Sequence, residues 1–293
     1  MTQDLPLPIL PDPSDARLSR RVQGHDQTGA PVTLSVVEER PLTIWLNSRE
    51  IVTAMTIGDH PDWLALGFLR NQGMLSDTDR VTGVDVDAET DSVIVRTATP
   101  TDHEARLARA TRTSGCAVGT VFGNMMEGLE GVTLPPSTLR SSDLYALAAR
   151  INQLPSLYLE AGAIHGTVLC RGDQVLIYTE DVGRHNAVDK IAGWMFATGT
   201  GGADKMLYTT GRLTSEMVLK CARMGIPVLA SRSGFTAWGV DLARQLGLTL
   251  IGRLRGQRFV CLSGEDRLIR DARLQPGLRE DPRHQRKGAR GDD

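Results

Sequence analysis

Cysteine is scarce in this 293-residue chain, with four residues, Cys116, Cys170, Cys221 and Cys261, far apart and never in CxxC spacing. That scarcity excludes a disulfide framework and a zinc ribbon, and it places the expected home in a reducing cytoplasm. No apolar run approaches the length of a membrane span. Residues 1–13 hold Asp4, Asp12 and four prolines, with no basic segment leading into an apolar one, so a secretory signal is not expected. Charge of one sign is missing too: 33 basic residues face 35 acidic ones, a net charge of −2, which gives no basis for nonspecific nucleic-acid binding. Zinc-deaminase chemistry needs H-x-E and P-C-x-x-C, and neither occurs. A Walker-type GxxxxGK[ST] loop is also absent, which speaks against nucleotide hydrolysis but leaves nucleotide binding open.

What is present fits a globular chain, 41% hydrophobic and 23% charged, long enough for two domains or one large α/β unit. Residues 1–20 read as an irregular arm. Strand-like runs at Val32–Val37, Leu42–Leu46 and Ile51–Ile57 predict an antiparallel meander. Asp59-His60-Pro61-Asp62 predicts a helix start, with Leu64, Gly67 and Phe68 on one face and His60 exposed. Two further strands, Val81–Val86 and Ser92–Thr97, then precede a helix over 102–111, where His103 reads as another exposed helix-start residue, so residues 21–134 are expected to form an α+β domain.

Pro135-Pro136 marks a break, after which the texture changes. Ser142-Asp143 caps a helical period over Leu144, Leu147, Ala148 and Ile151. A hairpin follows (Ile164–Cys170, Val175–Tyr178), and then helices and strands alternate as far as Ile251, with a last strand at Phe259–Leu262. This spacing predicts a second domain over 137–263, an α/β unit with a mixed sheet covered by helices, and a frayed charged tail over 264–293.

Two places carry candidate chemistry. Arg112-Thr113-Ser114-Gly115-Cys116-Ala117-Val118-Gly119 reads as a mobile loop bearing a thiol, with Arg109 and Arg112 available to favour its thiolate and the end of a helix opposing them. A lone cysteine is more often a small buried residue, and taken alone this one would be read that way. In the second half, polar clusters recur where a strand gives way to a helix, at Thr179–Asn186, Thr209–Glu216 and Ser231–Thr236. Ligands of open α/β sheets collect at such strand ends. Each cluster singly reads as helix capping; arginine, glycine and hydroxyl together three times point to a phosphate-bearing ligand, with Arg184, Arg212 and Arg232 supplying planar charge. His165, in an apolar strand before Gly166, reads first as a core imidazole. His185 has neighbours able to set its tautomer, and Glu180 and Asp181 are able to orient an arginine or meet a guanine edge.

Glu180-Asp181-Val182-Gly183-Arg184-His185-Asn186-Ala187-Val188-Asp189-Lys190, with Gly211-Arg212, Ser215-Glu216-Met217-Val218 and Gly225-Ile226-Pro227, resembles the formate dehydrogenase accessory sulfurtransferase family FdhD, over residues 21 to about 263. The resemblance implies a cytoplasmic, homodimeric sulfur carrier. It implies that Cys116 takes sulfur from a cysteine desulfurase as a persulfide and passes it to the molybdenum cofactor, bis(molybdopterin guanine dinucleotide), needed by the formate dehydrogenase catalytic subunit. It further implies a cytidine-deaminase-like second domain and a dinucleotide contact at Arg253-Leu254-Arg255-Gly256-Gln257-Arg258. His165, Asp181, Arg184, His185, Arg212 and Ser215 complete the expected cofactor site, with no structural metal. Many family members carry CxxC at the loop, whereas Gly119 stands in the second position here, and Arg253 replaces a common aromatic residue. The alternatives are a cofactor-binding chaperone that moves no sulfur and a guanine-nucleotide-binding regulatory module.

Overall fold

A computed structural model describes residues 9–76, 78–99 and 132–274. Cys116, Arg109, Arg112, His103 and the helix expected over 102–111 lie outside the described residues.

The first unit pairs four strands in the order β5-β4-β7-β6: β4 (Arg40–Leu46), β5 (Arg49–Thr56), β6 (Val81–Asp87) and β7 (Ser92–Thr97). β4 is antiparallel to β5 and parallel to β7. Ile44 and Leu46 alternate with half-buried neighbours, so one face of β4 packs with Val93 and Val95 against helix α1 (Pro61–Asn71). Pro61 opens that helix, where its missing N–H costs nothing. His60, expected to be exposed, is half-buried and stacked on Trp63 at 4.2 Å between ring centroids.

The expected meander is corrected. β3 (Pro31–Val37) pairs with β2 (Ser19–His25) in a separate two-stranded ribbon. β2 carries little apolar pattern because most of its residues are exposed, so periodicity could not reveal it.

The second unit is a seven-stranded mixed sheet, in the order β1-β10-β9-β11-β12-β13-β14. Its strands are β1 (Ile9–Leu10), β9 (His165–Arg171), β10 (Gln174–Asp181), β11 (Met206–Thr209), β12 (Val228–Ser231), β13 (Thr249–Arg255) and β14 (Arg258–Ser263). β11 and β12 are buried along their whole length because both faces are covered. Leu207 and Leu229 point to one core with helices α4 (Arg184–Thr198), α5 (Ser215–Arg223) and α6 (Ala237–Gln245). Met206, Tyr208, Val228 and Ala230 point to the other, packed with helix α2 (Ser141–Ile151).

Both chain ends depart from expectation. β1 adds residues of the supposed irregular arm to this sheet, parallel to β10. The start of the supposed frayed tail is also ordered: β15 (Leu268–Ile269) pairs with β8 (Leu139–Arg140), and Leu268 is buried. Asp271, not Ser142 or Asp143, caps α2, accepting from the Ser142 N–H at 3.0 Å and from the hydroxyls of Ser141 and Ser142 at 3.1 and 2.9 Å. A cap supplied from 129 residues away leaves no local signal.

The two units meet where α1 crosses α4. A Cβ built on Gly67 would lie 1.7 Å from the Asp189 carbonyl oxygen, and one on Gly193 would lie 1.9 Å from that of Trp63. The two backbones therefore touch, and only glycine fits at either point.

Candidate functional site

Strand direction decides what comes together. β10, β11, β12 and β13 run the same way, while β9 and β14 run against them. One edge of the sheet therefore gathers the ends of β10 to β13, the start of β9 at His165 and the start of β14 at Arg258. α4, α5 and α6 all begin at this edge, so their positive ends open onto it.

Along the edge stand Arg184, His165, Arg212 and Ser215, Arg232, and then the turn from Arg253 to Arg258. His165 and Arg253 are three strands apart, roughly 14 Å at ordinary strand spacing, which suits an extended ligand with several anionic groups. Arg212, Arg255 and Arg258 are exposed, and Arg184, Arg232 and Arg253 are half-buried. The Arg232 guanidinium lies 5.5 Å from the Tyr158 ring centroid, a stack that fixes its plane. Arg253 has φ 55, in the left-handed region, where the β13–β14 register shifts, and its N–H donates to the Ser233 carbonyl at 2.7 Å. Strain of this kind in a non-glycine residue gathers at functional sites.

The hydroxyls mostly serve the protein itself. Thr210 Oγ1 accepts from the Gly166 N–H at 3.1 Å and contacts His165 Nδ1 at 3.2 Å. Ser231 Oγ donates to the Gly211 carbonyl at 2.6 Å, and Thr236 caps α6 by accepting from the Gly239 N–H at 3.2 Å. Capping is thus the correct reading for Thr236. For α5 it is not: its N-cap Thr214 makes no side-chain cap bond, and α4 starts after Gly183, which has no side chain to cap with. Thr214 Oγ1 and His185 Nδ1 are buried without a hydrogen-bond partner among the described residues.

His185 is buried, with Nε2 2.8 Å from Glu216 Oε2. Its imidazole titrates below the usual histidine range because burial disfavours the cation; Lys220 and Arg184 add to that, while Glu216 opposes it. His165 is lowered as well, first by burial and then by Arg184, His185 and Arg212.

Three residues expected at the ligand have buried side chains. Asp181 is fully buried: it accepts from Thr56 Oγ1 at 2.5 Å, the Gly183 N–H at 3.1 Å and Asn186 Nδ2 at 2.9 Å, and pairs with Lys190 Nζ at 2.6 Å. No face of its carboxylate is left for a ligand. Glu180, suggested beside it for a guanine edge, is also fully buried, accepting the N–H groups of Leu157 and Tyr158 and the Tyr178 hydroxyl. The Leu254 side chain is buried in the α2-side core. Much of the block from 180 to 190 therefore makes the joint between the units: Lys190 also binds Asp59, Asn186 donates to the Met55 carbonyl at 2.7 Å, and Asp189 links Asn71 at 2.7 Å to Lys220 at 2.5 Å. Arg184 and His185 are its members at the sheet edge.

Sequence reasoning missed Tyr158, Glu216 and Lys220. Tyr158 precedes its arginine partner by 74 positions and lies near the start of a short helix, α3 (Leu157–Ala161), that periodicity did not reveal. Glu216 and Lys220 share one face of α5 at i and i+4 spacing, a signal that could have found them.

Cys170 and Cys221 are buried, and burial pushes their thiols well above the usual range; the half-buried Cys261 is raised by burial as well. None of these three is a poised thiolate. Among the described residues no three side chains cluster as a metal site, and no helix is long and apolar enough to cross a membrane.

Sheet and edge together define a mixed α/β protein with a row of arginines at the carboxyl ends of its strands. Residues 37–269 match the FdhD/NarQ family, and the chain belongs to it. It is 32% identical over 235 residues to the sulfur carrier protein FdhD of Geobacillus kaustophilus, covering 79% of this chain and 89% of that one. To the sulfur carrier protein FdhD of Listeria monocytogenes serotype 4b it is 30% identical over 239 residues, 80% and 91% of the two chains. A crystal structure described as a formate dehydrogenase accessory protein from Desulfotalea psychrophila superposes with a TM-score of 0.69 at 28% identity, covering 86% of this chain and all of that one.

Proposed function

We propose that this chain is a sulfur carrier that loads the molybdenum cofactor. Cys116 attacks the outer sulfur of a cysteine desulfurase persulfide as a thiolate: a bond forms from Cys116 Sγ to that sulfur, the donor's S–S bond breaks, and the electron pair leaves on the donor's cysteine. The outer sulfur would then pass to a bis(molybdopterin guanine dinucleotide) substrate held along the sheet edge: its bond to Cys116 Sγ breaks with the pair left on Cys116 as thiolate, and the reduced metal of the substrate supplies the two electrons, before that cofactor enters the formate dehydrogenase catalytic subunit. The observation that carries this reading is the row of arginines from Arg184 to Arg258 on a chain whose relatives are named sulfur carriers. Those guanidinium groups and the open starts of α4 and α5 suit the substrate's phosphates. The orphaned Thr214 Oγ1 fits the same ligand, since buried polar atoms are seldom left unpaired. A cytidine-deaminase-like classification of the second unit, a homodimer and a cytoplasmic setting belong to the same proposal; the hairpin followed by strand–helix alternation supports the first.

Because Gly119 replaces a second cysteine, Cys116 carries the sulfur alone. The test is mass spectrometry of the chain after incubation with a cysteine desulfurase and cysteine. One added sulfur on the peptide holding Cys116 is expected, and none in Cys116→Ala. Formate dehydrogenase maturation sustained by Cys116→Ala would sink the reading.

A further inference from the structure

His185 and Glu216 each hold the second position of a helix, on α4 and α5, and both helices open at the ligand edge. Their side chains are 6% and 10% exposed, with Nε2 and Oε2 2.8 Å apart. A buried ion pair is weak grounds for stability, since its desolvation cancels much of its attraction. The pair also has a poor setting for a permanent positive charge on the imidazole. Arg184 adjoins it on α4, Lys220 faces it from α5, and the His165 imidazole on β9 and Arg212 on the β11–α5 loop belong to the same group of charges. Glu216 is the opposing charge in that group among the described residues, because Asp189 is already paired to Lys220.

An anion arriving beside Arg184 and Arg212 reverses that balance. It offsets the positive potential that adds to burial in keeping His185 uncharged, while Glu216 already stands where an imidazolium needs a carboxylate. We propose that binding of a phosphate-bearing ligand at this edge is coupled to the uptake of one proton by the His185–Glu216 pair. The step is proton transfer alone: the Nδ1 lone pair takes a proton from the buffer, Nε2 keeps its proton 2.8 Å from Glu216 Oε2, and nothing is oxidised or reduced. The coupling rests on the ligand reading of the edge given above and makes the site sensitive to pH. A bound state with a higher proton affinity than the free state binds best at low pH. Affinity therefore falls as pH rises from the free-state value, which lies below the usual histidine range, through the bound-state value, and is flat outside that window.

The experiment is titration calorimetry of the full chain with guanosine diphosphate, and separately with inorganic pyrophosphate, in two buffers of different ionisation heat. Between about 0.5 and 1 proton is taken up per ligand near neutral pH, and Kd weakens by up to about tenfold per pH unit within the window. His185→Gln abolishes the uptake, and Glu216→Gln, which leaves the histidine in place, abolishes it as well; in His165→Asn it persists whatever the affinity. Binding of either probe to the unaltered chain with no proton uptake overturns the coupling and leaves the ligand reading standing. Uptake lost only in His165→Asn also overturns it, by assigning the proton elsewhere. Failure of both probes to bind overturns the coupling and the ligand reading together.

Discussion

Lys190 has no exposed side-chain surface, yet its ammonium touches two carboxylates, Asp181 and Asp59, and donates to the Glu180 carbonyl at 3.0 Å. Burial alone would strip its proton, but the two carboxylates outweigh burial and hold its titration above the usual lysine range. Removing one member of such a group leaves the others charged in a dry place. Lys190→Met is therefore expected to lose about 3–5 kcal/mol, read as a lower urea midpoint. The same residue shows what a sequence can and cannot convey. Its block from Glu180 to Lys190 is specific enough to give the family. It does not say which side chains face a ligand, because strand and helix directions sort them only once β10 is paired and α4 is packed. Asp181 was the natural choice for a ligand contact on chemistry, and pairing across the joint claims it instead. Arg184, three residues further on at the start of α4, remains at the edge.

At the scale of elements, the strand–turn–helix units from β9 onward were legible because both faces of the sheet are covered, so their strands are continuous apolar runs and their helices carry full apolar stripes. β1, β2 and β15 were not, being either two residues long or largely exposed. The start of α2 was read with the wrong cap for a related reason: its partner, Asp271, is remote. Backbone and hydroxyl donors at that helix start hold the Asp271 carboxyl well below the usual range. A carboxyl depressed by folding stabilises the fold fully above its unfolded titration range, and that stabilisation is lost as pH falls through the depressed folded value. Asp271→Asn should thus lower the thermal midpoint at neutral pH, and the difference from the unaltered chain should shrink on acidification below about pH 4. A gap that held constant with pH would assign the effect to packing at Leu268.

For the whole molecule, the question is whether the two units unfold together. Their joint is close backbone contact at Gly67 and Gly193, ringed by the buried groups Asn71, Asp181, Asp189, Lys190 and Lys220. Water entering there would meet several charges whose partners lie across the joint, so partial separation is costly and the units are expected to melt as one. The sheet edge depends on this, since β10 and α4 carry both the joint and Arg184. Tryptophans report each side: Trp45 and Trp63 lie in the first unit, Trp194 and Trp238 in the second. With each pair retained in turn by Trp→Phe substitution, fluorescence of the two reporters and far-ultraviolet circular dichroism should give one coincident urea transition. Gly193→Leu cannot be accommodated without moving the Trp63 backbone away, and should split that transition in two, with the first-unit reporter no longer tracking the second. Guanosine diphosphate should then raise the midpoint of the second-unit transition alone, whereas in the unaltered chain it should raise the single transition seen by both reporters. Separate transitions in the unaltered chain would show that the joint transmits no stability, and that ligand at the edge is not felt by the first unit.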